Sequence, residues 1–131
     1  MSKHMLVPVD LSNTNGAEKA IAAAKKIARR DGARITIVSI VPAWPENPET
    51  MLRDYQPELD TYVDAVRDHL DIESEVKIGG SISGGIIGMA KEKQIDLIVM
   101  VSHDPCITDY LTGSNAARVV LHAPCSVMVV R

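Results

Sequence analysis

Two segments carry residue types suited to holding a phosphorylated ligand. One is Pro8-Val9-Asp10-Leu11-Ser12; the other runs from Ser102 to Ser114 and ends in Gly113-Ser114. The Asp10 carboxylate can accept two hydroxyl hydrogen bonds, as from a ribose. Gly113 has no Cβ to hold a backbone away from a phosphate, and Ser114 offers a hydroxyl where a helix N-cap belongs. Helix N-termini in turn present unpaired N–H groups to anions. The same residues also suit a purely structural role, with Asp10 and Ser114 capping helices and Gly113 making a turn.

Whether the two segments can act together depends on the elements that carry them. Short apolar runs alternate with amphipathic stretches, the pattern of a parallel sheet covered by helices on both faces. The first strand is expected over Met5–Val9 and the first helix over Gly16–Arg30, with Gly32 as a left-handed stop. Arg29 and Arg30 then complement that helix's dipole. The second strand spans Arg34–Val41. A long connection from Val41 to Pro57, rich in proline, precedes a second helix over Pro57–Leu70. The third strand is Glu73–Ile78, the third helix Ser83–Lys93, the fourth strand Leu97–Val101, the fourth helix Ser114–His122 and the fifth strand Ser126–Val130. Ligands of such sheets bind beyond the carboxyl ends of the strands, where the strand order reverses. If strands one and four are neighbours, the two segments face each other there.

Composition limits the alternatives. The 131 residues suit one domain, 1–131, with no internal repeat or linker. With no Phe, one Trp and three Tyr, the core must be aliphatic. A net charge of −3 argues against general affinity for nucleic acid. Cys106 and Cys125 have neither disulfide-framework nor zinc spacing and fit a reducing cytoplasm. No signal peptide and no apolar run of membrane-spanning length is visible, so a cytoplasmic protein without membrane insertion is expected.

Leu6-Val7-Pro8-Val9-Asp10, Asp96-Leu97-Ile98-Val99-Met100 with Ser102-His103, Gly113-Ser114 through Ala117-Arg118-Val119-Val120, and the closing stretch His122–Arg131 resemble the universal stress protein family. The resemblance covers essentially the whole chain. It implies an α/β fold, an open doubly wound five-stranded parallel sheet of order 3-2-1-4-5 with four helices on two faces. It also implies a regulatory stress-response protein of a family in which many members bind ATP and others do not; ATP or AMP, with or without Mg2+, is the expected ligand, and with no base, nucleophile and metal set to support even a slow ATPase, no enzyme is expected. By resemblance Asp10 would hold the ribose, Val41 would lie beside adenine, and Gly113 and Ser114 would contact phosphates. The full set expected to bind the ligand is Pro8, Val9, Asp10, Val41, Met100, Val101, Ser102, His103, Gly113, Ser114 and Asn115.

The family's ATP-binding loop reads Gly-x2-Gly-x9-Gly-[Ser/Thr]. Here Val101 and Asp104 stand at the first two glycine positions, and only eight residues, Pro105–Thr112, separate Asp104 from Gly113. Ser102-His103-Asp104-Pro105 resembles instead a subgroup reading Ser-His-x-Pro-Gly, some members of which regulate TRAP-type solute transporters. Cys106 takes that subgroup's glycine position. A carboxylate about 5 Å from one phosphate charge costs roughly 3 kcal/mol at an effective dielectric of about 20, about two orders of magnitude in affinity. The alternative function is therefore a nucleotide-free dimeric interaction module with a degenerate phosphate loop.

Other constellations carry less. Gly79-Gly80-Ser81-Ile82-Ser83-Gly84-Gly85 lacks the dinucleotide-loop spacing and reads as a turn. His103 has no nameable nucleophile or orienting partner. His4, His69 and His122 read as surface or helix-end residues, and Cys125 as a packing residue. Ser126–Val130 is expected at the sheet edge, apolar and without proline, which invites pairing with a second copy about a two-fold axis. The resemblance implies the same homodimer.

Overall fold

The apolar runs become strands and the amphipathic stretches helices in the computed structural model, which describes residues 2–12, 14–41, 48–101 and 113–131. β1 (His4–Pro8) leads through a 3-10 turn to α1 (Glu18–Asp31). β2 (Arg34–Val41), α2 (Pro48–Val66), β3 (Ile72–Ile78) and α3 (Ile82–Glu92) follow. β4 (Leu97–Val101), α4 (Gly113–His122) and β5 (Ser126–Val130) complete the order. The five strands form one sheet, β3-β2-β1-β4-β5, with every pair parallel. This is the expected order.

Side chains alternate across the strands and build two cores. Met5, Val7 and Val9 of β1 and its exit pack with Ile35 and Ile37 against Ala20, Ala24 and Ala28 of α1 and Leu59 and Val63 of α2. Leu6, Val38, Ile40, Ile98 and Met100 face the other way, against Ile86, Met89 and Ala90 of α3 and Val119 of α4. A central strand covered on both faces has no polar side, which is why Met5-Leu6-Val7 reads as an unbroken apolar run. Gly32 ends α1 in the left-handed conformation at φ 69°, its N–H bonded to the Ala28 carbonyl at 2.8 Å.

The second helix departs from expectation. It starts at Pro48 and runs through Pro57 to Val66, where the sequence suggested a connection up to Pro57 and a helix from there to Leu70. Met51, Tyr55, Leu59 and Val63 repeat every four residues on the inward face, with Met51, Leu59 and Val63 buried. Burying Met51 contributes about 1.5–3 kcal/mol, against roughly 3 kcal/mol for a proline inside a helix. Pro48 occupies a favourable first turn, and Pro57 lies on the exposed face. Polar bonds from Gln56 and Asp60 to β3 add to the balance: Gln56 Oε1 accepts from the Val76 N–H at 3.0 Å, and Ser74 donates to Asp60. The helix stops early because Asp68 and His69 are left-handed, at φ 49° and 63°. Asp68 is held there by ion pairs with Arg29 and Lys25. Residues 42–47 of the connection lie outside the described residues.

His4 is not a surface residue. Its side chain is only 13% exposed, because it opens β1 between β2 and the end of α3, with Thr36 and Glu73 against it. His122 does lie in the last turn of α4, exposed. Cys125 is half-buried and packs against the α3–α4 core. Gly79 and Gly80 turn the chain at φ 95° and 74° into Ser81, which caps α3 by accepting from the Gly84 N–H at 3.0 Å. No helix among the described residues is long and apolar enough to cross a membrane.

Candidate functional site

Pro8 opens the sheet at the point where its order reverses. The His4 carbonyl accepts from the Asp96 N–H beside β4, whereas the Lys3 carbonyl accepts from Arg34 and the Val9 N–H bonds Val38, both beside β2. Even-numbered residues of β1 therefore present their backbone groups to β4. Pro8 is one of them and has no N–H to give. The β1–β4 pairing ends at Leu6↔Ile98, while the β1–β2 pairing continues to Pro8↔Val38. A proline is unusual in a central strand; here it ends one, and the strands part where ligands of such sheets bind.

At the same carboxyl ends, on the β2 side of β1, lies a cavity of about 180 Å³. The turn after β1 supplies Asp10, Leu11 and Ser12, the end of β2 supplies Ser39, Ile40 and Val41, and α2 supplies Tyr55. Asp10 shapes the turn: its Oδ1 accepts from the Ser12 N–H at 2.9 Å and from the Ser12 hydroxyl at 2.6 Å. These bonds make Asp10 the former of this turn.

The expected site residues divide into groups. Asp10 and Val41 come together at the cavity. Val41 is half-buried, and its carbonyl accepts from the Gly79 N–H at 2.8 Å. Pro8, Val9, Met100 and Val101 are buried; the side chains of Val9 and Val101 belong to the α1–α2 core and that of Met100 to the α3–α4 core. Gly113 and Ser114 form the first turn of α4, where the leading N–H groups have no partner within the helix. Asn115 follows them, half-buried. Ser102 and His103, with Asp104 and Cys106, lie outside the described residues.

Tyr55, Ser39 and Ile40 were not foreseen. Tyr55 was hidden by Pro57, which drew the expected helix start past it. The four-residue repeat from Met51 to Val63 is the signal that places it on the helix. No group of three or more His, Cys, Asp or Glu side chains that could hold a metal occurs among the described residues. A larger hollow of about 560 Å³ lies at the opposite ends of the strands. Its carboxylates serve as fasteners there. Asp96 accepts from the Lys3 and His4 N–H groups at 2.7 and 2.9 Å. Arg30, then the Ser2 N–H, hold the Asp31 carboxyl down at about 2.

A family model for the universal stress protein family matches residues 1–131. The chain belongs to that family. Universal stress protein G of Salmonella typhimurium is 31% identical over 143 residues, with all of both chains covered. Universal stress protein UspA from Lactobacillus plantarum is 28% identical, with a TM-score of 0.73 over 99% of this chain and 98% of that one. A universal stress protein from Archaeoglobus fulgidus, solved in complex with dAMP, shares the fold at 22% identity and a TM-score of 0.76, with 98% of each chain covered. In this universal stress protein the crevice and its cavity therefore stand on a fold that carries an adenine nucleotide in at least that neighbour.

Proposed function

We propose that this protein is a single-domain, cytoplasmic stress-response regulator that binds ATP or AMP at the β1–β4 crevice and signals through contacts with partners. The observation that carries the reading is the cavity at the carboxyl ends of β1 and β2, where Asp10 and Val41 meet. About 180 Å³ suits a base and not a whole nucleotide. The base would enter the cavity beside Val41, the ribose would meet Asp10, and the phosphates would reach the first turn of α4 at Gly113-Ser114. The role is binding and not turnover, with Mg2+ able to accompany the phosphates. The resemblance of Ser102-His103-Asp104-Pro105 to transporter regulators makes a solute transporter one partner class.

The proposed assembly is a homodimer through β5. The sheet has two edges, and they differ. β3 is guarded by Gln56 and Asp60 and carries Glu73, Glu75 and Lys77. β5 exposes Met128 and Val129, each 38% accessible, with Val120 and Leu121 exposed on the adjoining α4. Charged and covered edges resist pairing, and apolar ones invite it.

Calorimetric titration with ATP and AMP, with and without magnesium, tests the site. Micromolar binding that Gly113→Val abolishes without unfolding supports it. No heat up to millimolar nucleotide refutes it. That result would favour the second reading, a nucleotide-free dimeric module, to which the use of Asp10 Oδ1 by Ser12 already lends support.

A further inference from the structure

Among the described residues Tyr55 is the one aromatic wall of the cavity, and it arrives from α2, while the other walls come from the turn after β1 and the end of β2. We infer that its ring is the platform on which the nucleotide base stacks, so that this residue favours purines over pyrimidines; the inference rests on the nucleotide reading above. An aromatic wall is not a by-product of composition here, because the chain has no Phe, one Trp and only three Tyr, and its buried core is aliphatic. The ring is half-buried. Part of it packs on the α1–α2 core, and part lines the cavity, so it is held and still reachable.

The neighbouring residues fix its position. Gln56, next in the chain, bonds the Val76 N–H at 3.0 Å and Asp60 at 2.8 Å, and Asp60 takes the Ser74 hydroxyl. These bonds pin the helix turn that carries Tyr55 to β3. A ring positioned before binding loses little freedom when a base meets it. Leu11, Ile40 and Val41 give the base only aliphatic contact. Among the described lining residues Tyr55 alone adds a π face, and a purine covers more of it than a pyrimidine does.

The test is titration of wild type, Tyr55→Phe and Tyr55→Leu with ATP and CTP. Wild type should bind ATP more tightly than CTP. Tyr55→Phe should keep that affinity and preference, and Tyr55→Leu should lose roughly ten-fold or more for ATP, the usual scale of base–aromatic stacking. In wild type the Tyr55 ring resonances, assigned by comparison with Tyr55→Phe, should shift upfield on adding ATP; this reading needs no folded leucine variant. Unchanged ATP affinity in Tyr55→Leu, equal losses in both variants, or an unmoved ring signal would overturn the inference and leave nucleotide binding standing. If wild type binds no ATP, both fall together.

Discussion

The Nε2 of His4 lies 2.7 Å from the hydroxyl of Thr36, which is fully buried and itself 2.9 Å from Glu73 Oε1. A hydroxyl has one proton, so when Thr36 donates to Glu73, His4 must donate from Nε2. Lys93 completes the chain, 3.5 Å from Glu73 and 2.9 Å from Glu75. β1, β2, β3 and the end of α3 are thus joined by one polar line at the amino ends of the strands.

That line gives a pH dependence. Burial, then Arg34, push the His4 imidazole below its usual 6.5, and the attraction of Glu73 only partly offsets them. The unfolded chain therefore takes up a proton more readily than the folded one. Stability is unaffected by His4 above about pH 6.5, falls as pH drops below it, and stops falling once the folded imidazole is also protonated. Urea unfolding midpoints of wild type should decline between pH 8 and 5.5. His4→Gln, which keeps a donor for Thr36, should decline less over that range; parallel curves would show that His4 is not the group responsible.

Gly85 brings α3 onto β2. A Cβ there would stand 2.9 Å from both Cδ1 and Cγ2 of Ile40. Gly85→Ala should destabilise by about 1–3 kcal/mol despite alanine's better helix propensity. Adding Ile40→Val removes Cδ1 and should restore part of the loss. Denaturant titration of the single and double variants reads this out, and a stabilised Gly85→Ala would contradict the tight helix–strand contact.

Gln56 closes the β3 edge. Gln56→Ala strands the Val76 N–H, at a residue that is 6% exposed, for an expected loss of about 1–3 kcal/mol. Amide hydrogen exchange at Val76 should speed up more than at Ile37, in the sheet interior. Equal rates before and after the substitution would mean that the bond does not guard the edge.

Val129 tests the other edge. Placing a charge there, Val129→Lys, should turn the proposed dimer into a monomer in sedimentation equilibrium, with far-UV circular dichroism unchanged. A wild-type protein that sediments as a monomer, or a variant that stays dimeric, would remove β5 as the interface.

How far the sequence could be read depended on the range of the forces involved. Strand and helix types were legible because apolar periodicity is local: Leu97–Val101 and the Ala20, Ala24, Ala28 stripe each declare their element within a few residues. Gly32 marked its helix end for the same reason. Local signals misled where they competed, as when Pro57 outweighed the Met51, Tyr55, Leu59 stripe until packing on the sheet decided the matter. Asp10 and Val41 were named as candidates through the family resemblance, and the fold brings both to one cavity. That Val9, Met100 and Val101 turn their side chains into the cores followed only from which face each strand residue took.

By itself, then, the sequence determined an aliphatic α/β chain of the universal stress protein family, with a polar turn after its first strand and an apolar last strand. Tertiary structure decided that Pro8 faces β4 and parts it from β1, that Tyr55 reaches the cavity from α2, and that His4 is drawn inside. Each of these joins residues far apart in the chain. No local pattern encodes such a meeting, because it exists only once the whole sheet has set the neighbours of every strand.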